Sequence, residues 1–245
     1  MLIGTHNSSA YQLDFKVSFW KPFSKWNFLR LAARWLPCVG SRVKALTCNQ
    51  SLDILGQLRA GARILDLYLS FAGQLYCSHT FASIPFQSAL NQISAFGNEC
   101  SDNIMILLCV DYENQSTITL ELEEKLAPKL LAVKNVVWFW QPKHAVFVDS
   151  PALKHLDSIQ LDWFNVDNVT DFLGKFNEQK YDAAAEHGLC CILTPQADKG
   201  LLYESLRAMA AELNATMLPL IARLPAASRP KYVLVDYFSS ECVLV

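Results

Sequence analysis

The apolar positions of this chain switch repeatedly between a period of two and a period near 3.6, as in a protein of alternating strands and helices. Met1 to Ile3 is a short apolar run, read as a buried strand, with Gly4 as the turn after it. Thr5-His6-Asn7-Ser8 then sets four polar side chains at the strand's end. Helical spacing follows from Ser24 to Leu36, with Phe28, Leu31, Ala32 and Trp35 on one face and Asn27, Arg30 and Arg34 on another. Leu52, Leu55 and Leu58 repeat at helical spacing before Gly61. From Ala62 to Leu69 the alternation places Ile64, Asp66 and Tyr68 on one face, and Arg63, Leu65 and Leu67 on the other.

The remaining chain continues in the same manner. Leu75 to His79 reads as a short strand ending in a histidine, and Phe86 to Phe96 as a helix. Ile104 to Val110 is a fully buried strand that runs into Asp111. Helices are expected at Glu121–Leu131, Val169–Phe176, Tyr181–His187 and Leu201–Leu213; strands at Val133–Trp140, Ala145–Val148, Leu189–Leu193 and Tyr232–Asp236. The alternation predicts an α/β fold with a mostly parallel sheet. His6, Asp66, Asp111 and Asp236 all stand at strand ends. An acid there is costly unless paired or metal-bound. Such clustering suits a (β/α) barrel, whose strand ends converge on one mouth.

Composition narrows the class. Hydrophobic residues make up 52% of 245, which suits a single globular domain over 1–245 and excludes extended disorder. No run of about 18 apolar residues is present to span a membrane. No signal peptide precedes the first strand, so a cytoplasmic protein is expected, with export by a route lacking a cleaved signal left open. The eight cysteines form no CxxC pair and are read as reduced.

Charge changes the picture in one place. Residues 15–44 carry seven basic residues and no acidic one, against 14 basic and 23 acidic elsewhere. The segment also holds Trp20, Trp26 and Trp35. Three readings fit it: an amphipathic helix packed on the core, a segment that docks on anionic lipid, and a nucleic-acid patch.

Four stretches, in order along the chain, carry a resemblance. Gly4-Thr-His-Asn-Ser8, Gln57-Leu-Arg-Ala-Gly-Ala-Arg-Ile-Leu-Asp66-Leu, Ser78-His79-Thr80 and Val233-Leu-Val-Asp236-Tyr237 resemble the X-domain family of phosphatidylinositol-specific phospholipases C. That implies an irregular TIM-like barrel and a lyase-type phosphodiesterase giving diacylglycerol and inositol phosphate. By the same resemblance His6 is the base for the inositol 2-hydroxyl, and His79 the acid for the departing diacylglycerol. Asp236 orients His6, and Asp66 is the acid on the second strand. A phosphoinositide-binding module with impaired turnover is the alternative. A glycerophosphodiester phosphodiesterase fits less well, for want of a His-Arg-Gly stretch.

The sequence departs from the family where the phosphate charge is met. Metal-free members carry an Arg two residues after the Asp66 position, and calcium-dependent members an acid. Here Tyr68 stands there, a candidate substrate contact with Asn7. Asn7, Asp66 and Asp111 match calcium-ligand positions, so calcium is the expected cofactor. The resemblance also favours membrane docking by the basic aromatic segment, through Trp20, Trp26, Trp35, Lys21, Lys25 and Arg30. The implied partners are a phosphatidylinositol lipid and an anionic membrane surface, not nucleic acid. The protein is expected to act as a monomer.

Overall fold

The computed structural model describes residues 1–19, 23–110, 127–141, 154–155, 159–182, 185–195 and 205–243. The expected strand at Ala145–Val148 lies outside them, as do Trp20, Lys21 and Asp111.

The strands are β1 (Leu2–Thr5), β2 (Ile64–Phe71), β3 (Leu75–His79), β4 (Phe81–Pro85), β5 (Ile104–Val110), β6 (Val136–Gln141), β7 (Lys154–His155), β8 (Gln160–Asp162), β9 (His187–Cys191) and β10 (Tyr232–Val235). The helices are α1 (Lys25–Trp35), α2 (Pro37–Thr47), α3 (Ile54–Arg59), α4 (Phe86–Glu99), α5 (Ala127–Ala132), α6 (Val169–Glu178) and α7 (Leu206–Arg223). One sheet takes the order β7-β6-β5-β2-β1-β10-β9-β8, parallel throughout, with β3 and β4 added antiparallel beside β2. Among the described residues no ladder joins β7 to β8. The architecture is the expected α/β barrel type, left unclosed.

Alternation sorts the strand side chains into two cores. Ile64, Leu107, Cys190, Tyr232 and Leu234 face the interior cluster. Leu65, Leu67 and Leu69 pack with Ile93 and Phe96 of α4, while Val233 and Val235 pack with Met217 and Ile221 of α7. Helix starts are fixed by side-chain caps: Ser24, Asp53, Asn168 and Ser205 each accept a backbone N–H three residues on. Arg63 behaves as its outward face implies. It donates to Leu58 O at 3.0 Å, at the end of α3, and to Asp102 at 2.6 Å.

Several local expectations are corrected. Gly4 is not a turn. It lies within β1, where an added Cβ would sit 2.3 Å from both the Cβ and the carbonyl oxygen of Ile64, so glycine is required by close strand approach. The turn is made by Asn7, at φ +45°. Among the described residues of Tyr181–His187 there is no helix: Tyr181 is buried against Phe176 and the His187 ring, and His187 already begins β9. Helix α2, started by Pro37 at its first turn, was not foreseen.

The largest correction concerns α1. Phe28, Leu31 and Trp35 share a face as the sequence suggests, but it points outward, while Asn27 and Arg30 of the polar face are buried and only Arg34 of that face is exposed. Asn27 and Arg30 are 7% exposed, whereas Phe28 is 76% and Trp35 71% exposed. Arg30 is therefore no outward cation. Its guanidinium donates to Phe15 O at 2.7 Å and to Asn27 Oδ1 at 2.7 and 3.0 Å. Trp26 also turns inward, against the cluster of Leu13, Phe15, Ala33, Val43 and Phe81. Lys25 and Trp35 remain outside, with Phe23, Leu31 and Leu36.

Candidate active site at the strand ends

Three strand ends deliver the site, each by the same backbone device. His6 follows β1, His79 ends β3, and Asp236 follows β10. The residue after each is left-handed: Asn7 at φ +45°, Thr80 at +62° and Tyr237 at +50°. Only five non-glycine residues with positive φ occur among the described residues, so three of five sit directly beyond the site side chains. Thr80, being β-branched, is the most strained. Each reversal turns the chain sharply away and leaves the preceding side chain facing the opening. Strain of this kind persists where the surroundings hold it, as they do at functional sites.

The rings of His6 and His79 meet edge to face, with centroids 6.2 Å apart and planes at 75°. Asp236 Oδ1 lies 2.9 Å from His6 Nδ1. A carboxylate only accepts, so Nδ1 carries a proton, and in the neutral ring Nε2 keeps its lone pair. That lone pair accepts from Asn7 Nδ2 at 3.0 Å. On His79, Nδ1 donates to Thr47 O at 2.9 Å, which leaves Nε2 as the nitrogen able to gain or lose a proton. Asp66 is buried beside them, its Oδ2 3.9 Å from His6 Nε2 and 3.3 Å from the Asn7 amide nitrogen, which donates to it. Cys109 Sγ donates to Asp66 Oδ1 at 3.7 Å. Ser8 ties the first two strand ends together: its hydroxyl oxygen accepts the Asp66 N–H at 2.9 Å, and its own N–H donates to Asp66 O at 2.8 Å.

Electrostatics set the two imidazoles apart. Burial alone would lower His6, but Asp236 and then Asp66 outweigh it and hold His6 above the usual histidine range. Burial pushes His79 down to about 4, helped by the nearby His6 charge. Burial raises Asp66 above the usual carboxylate range, against the pull of His6. Two titratable rings driven in opposite directions a few ångströms apart mark an acid–base pair.

A cavity of about 180 Å³ opens beside them, lined by His6, Asp66, Tyr68, Cys109, Trp163 and Ile192 among others. A larger cavity of about 450 Å³, between α7 and the turn after β10, is lined by neither histidine and not by Asp66. The structure thus brings together His6, His79, Asp236, Asp66, Asn7 and Tyr68. The sequence reading missed Thr47 and Asn49, which hold His79 and Asp236. Neither sits in a motif; a polar run just after a helix was the only signal. Among the described residues no group of three His, Cys, Asp or Glu side chains is placed to hold a metal. One feature favours a cation all the same: Asn7 Oδ1 is buried without a hydrogen-bond partner, in the loop that touches Asp66.

Solved structures share this backbone. The phosphatidylinositol-specific phospholipase C of Staphylococcus aureus, in a double-mutant form, matches with a TM-score of 0.63 at 13% identity, over 96% of this chain and 84% of that one. A second structure of the Staphylococcus aureus enzyme, from work on its membrane binding, gives 0.61 at 13% identity, over 96% and 85%. The phosphatidylinositol-specific phospholipase C of Listeria monocytogenes gives 0.60 at 12% identity, over 99% and 89%. No protein-family model and no curated protein matches the sequence. At such identity the likeness is one of fold.

Proposed function

We propose that the chain is a phosphatidylinositol-specific phospholipase C that works at a membrane surface. One observation carries the reading: two imidazoles of opposite proton affinity, 6.2 Å apart at the strand ends, one backed by a carboxylate at 2.9 Å. The fold likeness to phospholipases C supplies the substrate class. In the reaction, His6 Nε2 takes the proton of the inositol 2-hydroxyl. The freed oxygen attacks phosphorus and forms the bond of a cyclic 1,2-phosphate. The bond from phosphorus to the diacylglycerol oxygen breaks, and His79 Nε2–H delivers a proton to that oxygen. The imidazolium left on His6 is stabilised by Asp236.

The resting protonation is the reverse of the working one. The free site favours the proton on His6, while the reaction needs it on His79. A phosphodiester anion beside His79 favours the charged form of that ring, and a hydroxyl on His6 Nε2 favours the neutral form. Binding of substrate thus moves the proton to where the reaction uses it. Tyr68, which lines the cavity with His6 and Asp66, would donate to a phosphate oxygen or lie against the sugar ring.

Asn7 and Asp66, with Asp111, would hold a calcium ion, which when bound supplies positive charge to the phosphate oxygens. The orphaned Asn7 Oδ1 supports this donor set.

The membrane contact is the outward face of α1 and its approach: Phe23, Phe28, Leu31, Trp35 and Leu36, flanked by the exposed Lys25, Arg34 and Lys44. An apolar face ringed by cations, with no acid in the segment, fits an anionic lipid surface. No helix among the described residues is long and apolar enough to cross a membrane.

The test is release of diacylglycerol and inositol phosphate from phosphatidylinositol vesicles, with calcium and with chelator. Wild type is expected to release both, and His6→Ala and His79→Ala each to lose about 10²–10⁴-fold or more in kcat. No product in either condition, with headgroup binding retained, would establish the binding-module alternative instead.

A further inference from the structure

Four consecutive residues at the end of α2 and beyond it reach His79, Asp236 and the backbone of His6. Thr47 O accepts the His79 Nδ1–H at 2.9 Å, and Cys48 O accepts the Tyr237 hydroxyl at 2.7 Å. Asn49 Nδ2 donates to Asp236 Oδ1 at 2.9 Å, the same oxygen that accepts from His6. Asn49 O accepts the N–H of the strained Tyr237 at 2.6 Å. Gln50 Nε2 donates to His6 O at 2.9 Å and to Val235 O at 3.1 Å, while its Oε1 accepts the Phe238 N–H at 3.0 Å. Asn49 and Gln50 are each 2% exposed, and the backbone N–H of both donates to Ala10 O.

The two amides do different work. Gln50 staples the ends of β1 and β10, the strands that present His6 and Asp236. Asn49 acts on the carboxylate itself. One donor leaves a carboxylate free to swing about its last bond; a second donor fixed on the same oxygen sets its plane. The Asn49 Oδ1 atom is buried without a partner, so this side chain keeps its place at a cost and is used only as a donor. A hydrophobic residue of the same size would fill the space without that cost.

We propose that Asn49 is a positioning residue: it fixes Asp236 so that the His6 proton stays on Nδ1 and Nε2 stays free to act as base. Its consequence for turnover rests on the phospholipase reading; its consequence for the His6 tautomer does not. The experiment therefore reads both. Ring nitrogen shifts of ¹⁵N-histidine-labelled full-length protein give the His6 tautomer, and kcat and KM are measured on a soluble inositol phosphodiester. Neutral His6 is expected as the Nδ1–H form in wild type and as a mixture of tautomers in Asn49→Leu. In that variant kcat should fall about 10–100-fold with KM held within about twofold. Against an Asp236→Asn background the same substitution should cost less than about twofold, because the group it acts through is already changed.

The proposal is overturned if Asn49→Leu keeps the wild-type tautomer and kcat. It is also overturned if the loss is the same factor with and without the Asp236 carboxylate, as for a merely structural residue. If wild type does not turn over, the phospholipase reading falls by itself and the tautomer still decides the role of Asn49. Should Asn49→Leu fail to fold, Asn49→Ala removes the same donor and answers by the same readouts.

Discussion

Two regions of this molecule invert the ordinary rule of polar outside and apolar inside, and they do so with opposite outcomes. At the strand ends Asp66, Asp236, Asn49 and Gln50 are all buried, yet Asp236 and Gln50 each serve two or more partners of the same chain. On α1 the inversion is left half-finished. Asn27 and Arg30 are buried and bonded to each other, but Phe28, Leu31 and Trp35 are left outside. The first inversion is met within the chain except at the amide oxygens of Asn7 and Asn49, and it holds the two histidines and Asp236 in place. The second leaves its apolar side chains facing solvent, where the proposed membrane would cover them. Buried polarity with partners indicates chemistry; exposed apolarity flanked by cations indicates a surface to be met.

The sharpest way to break the first region is through its carboxylate. Asp236→Asn is expected to reduce kcat by about 10²–10⁴-fold on any inositol phosphodiester, with little change in fold. Its pH profile carries the sign. In wild type, kcat/KM is expected to fall below about pH 4, where His79 and His6 are both protonated and the base is lost. It falls again above the raised His6 pKa, where neither ring carries the proton the leaving group needs. Burial already lowers His6, and without Asp236 only Asp66 opposes it, so the upper limb should move to lower pH. An upper limb that stays in place would detach His6 from that limb.

How much of this was legible from sequence differs between the two regions, and the reason is physical. Asp66 and Asp236 are visible because an acid inside an apolar strand, or one at which a buried run stops, is costly without a purpose. The shared face of Ile64, Asp66 and Tyr68 follows from alternation alone. Periodicity along α1 likewise divides the helix correctly into two faces. It does not say which face meets the core, because that inference assumes water is the only solvent outside. Arg30 and Trp26 are assigned outward as parts of the membrane-docking segment, by charge and residue type and not by their place on the helix. Gly4 shows a second limit: a glycine needed for close strand approach looks, in one dimension, like a glycine needed for a turn. Asn49 shows a third, since a lone amide has no period and its partner lies 187 positions away.

The second region is tested by restoring the ordinary rule. Replacing Phe28, Leu31 and Trp35 together with Ser removes the outward apolar face and should weaken binding to anionic vesicles by roughly 10²-fold, about 3 kcal/mol out of a larger full-burial value. Activity on vesicles should drop with it, while turnover of a soluble inositol phosphodiester stays within about twofold. Equal loss on both substrates would mean the face supports the barrel rather than a membrane. Arg30→Leu is the complement. It leaves Phe15 O without its donor and Asn27 Oδ1 with the Ser18 hydroxyl but without the guanidinium, so stability should fall by about 1–3 kcal/mol in urea unfolding. The folded fraction should bind vesicles as wild type does, since Arg30 does not reach the surface.

The smallest effect is also the one that separates charge from apolar contact. Lys25 and Arg34 are exposed on α1, lying over the Trp26 and Trp35 rings with 5.1 Å from charge to centroid in each case. Near an anionic leaflet each contributes roughly 1 kcal/mol, or about fivefold in binding. Lys25→Gln and Arg34→Gln should each show that loss on vesicles containing anionic lipid at low salt. The loss should shrink as ionic strength rises, because screening shortens the reach of the field to about 8 Å at 0.15 M. On purely zwitterionic vesicles neither substitution should matter, whereas the triple apolar variant should still bind more weakly. If the charge variants weaken binding equally on both vesicle types, the cations act by supporting the tryptophans and not by reading lipid charge.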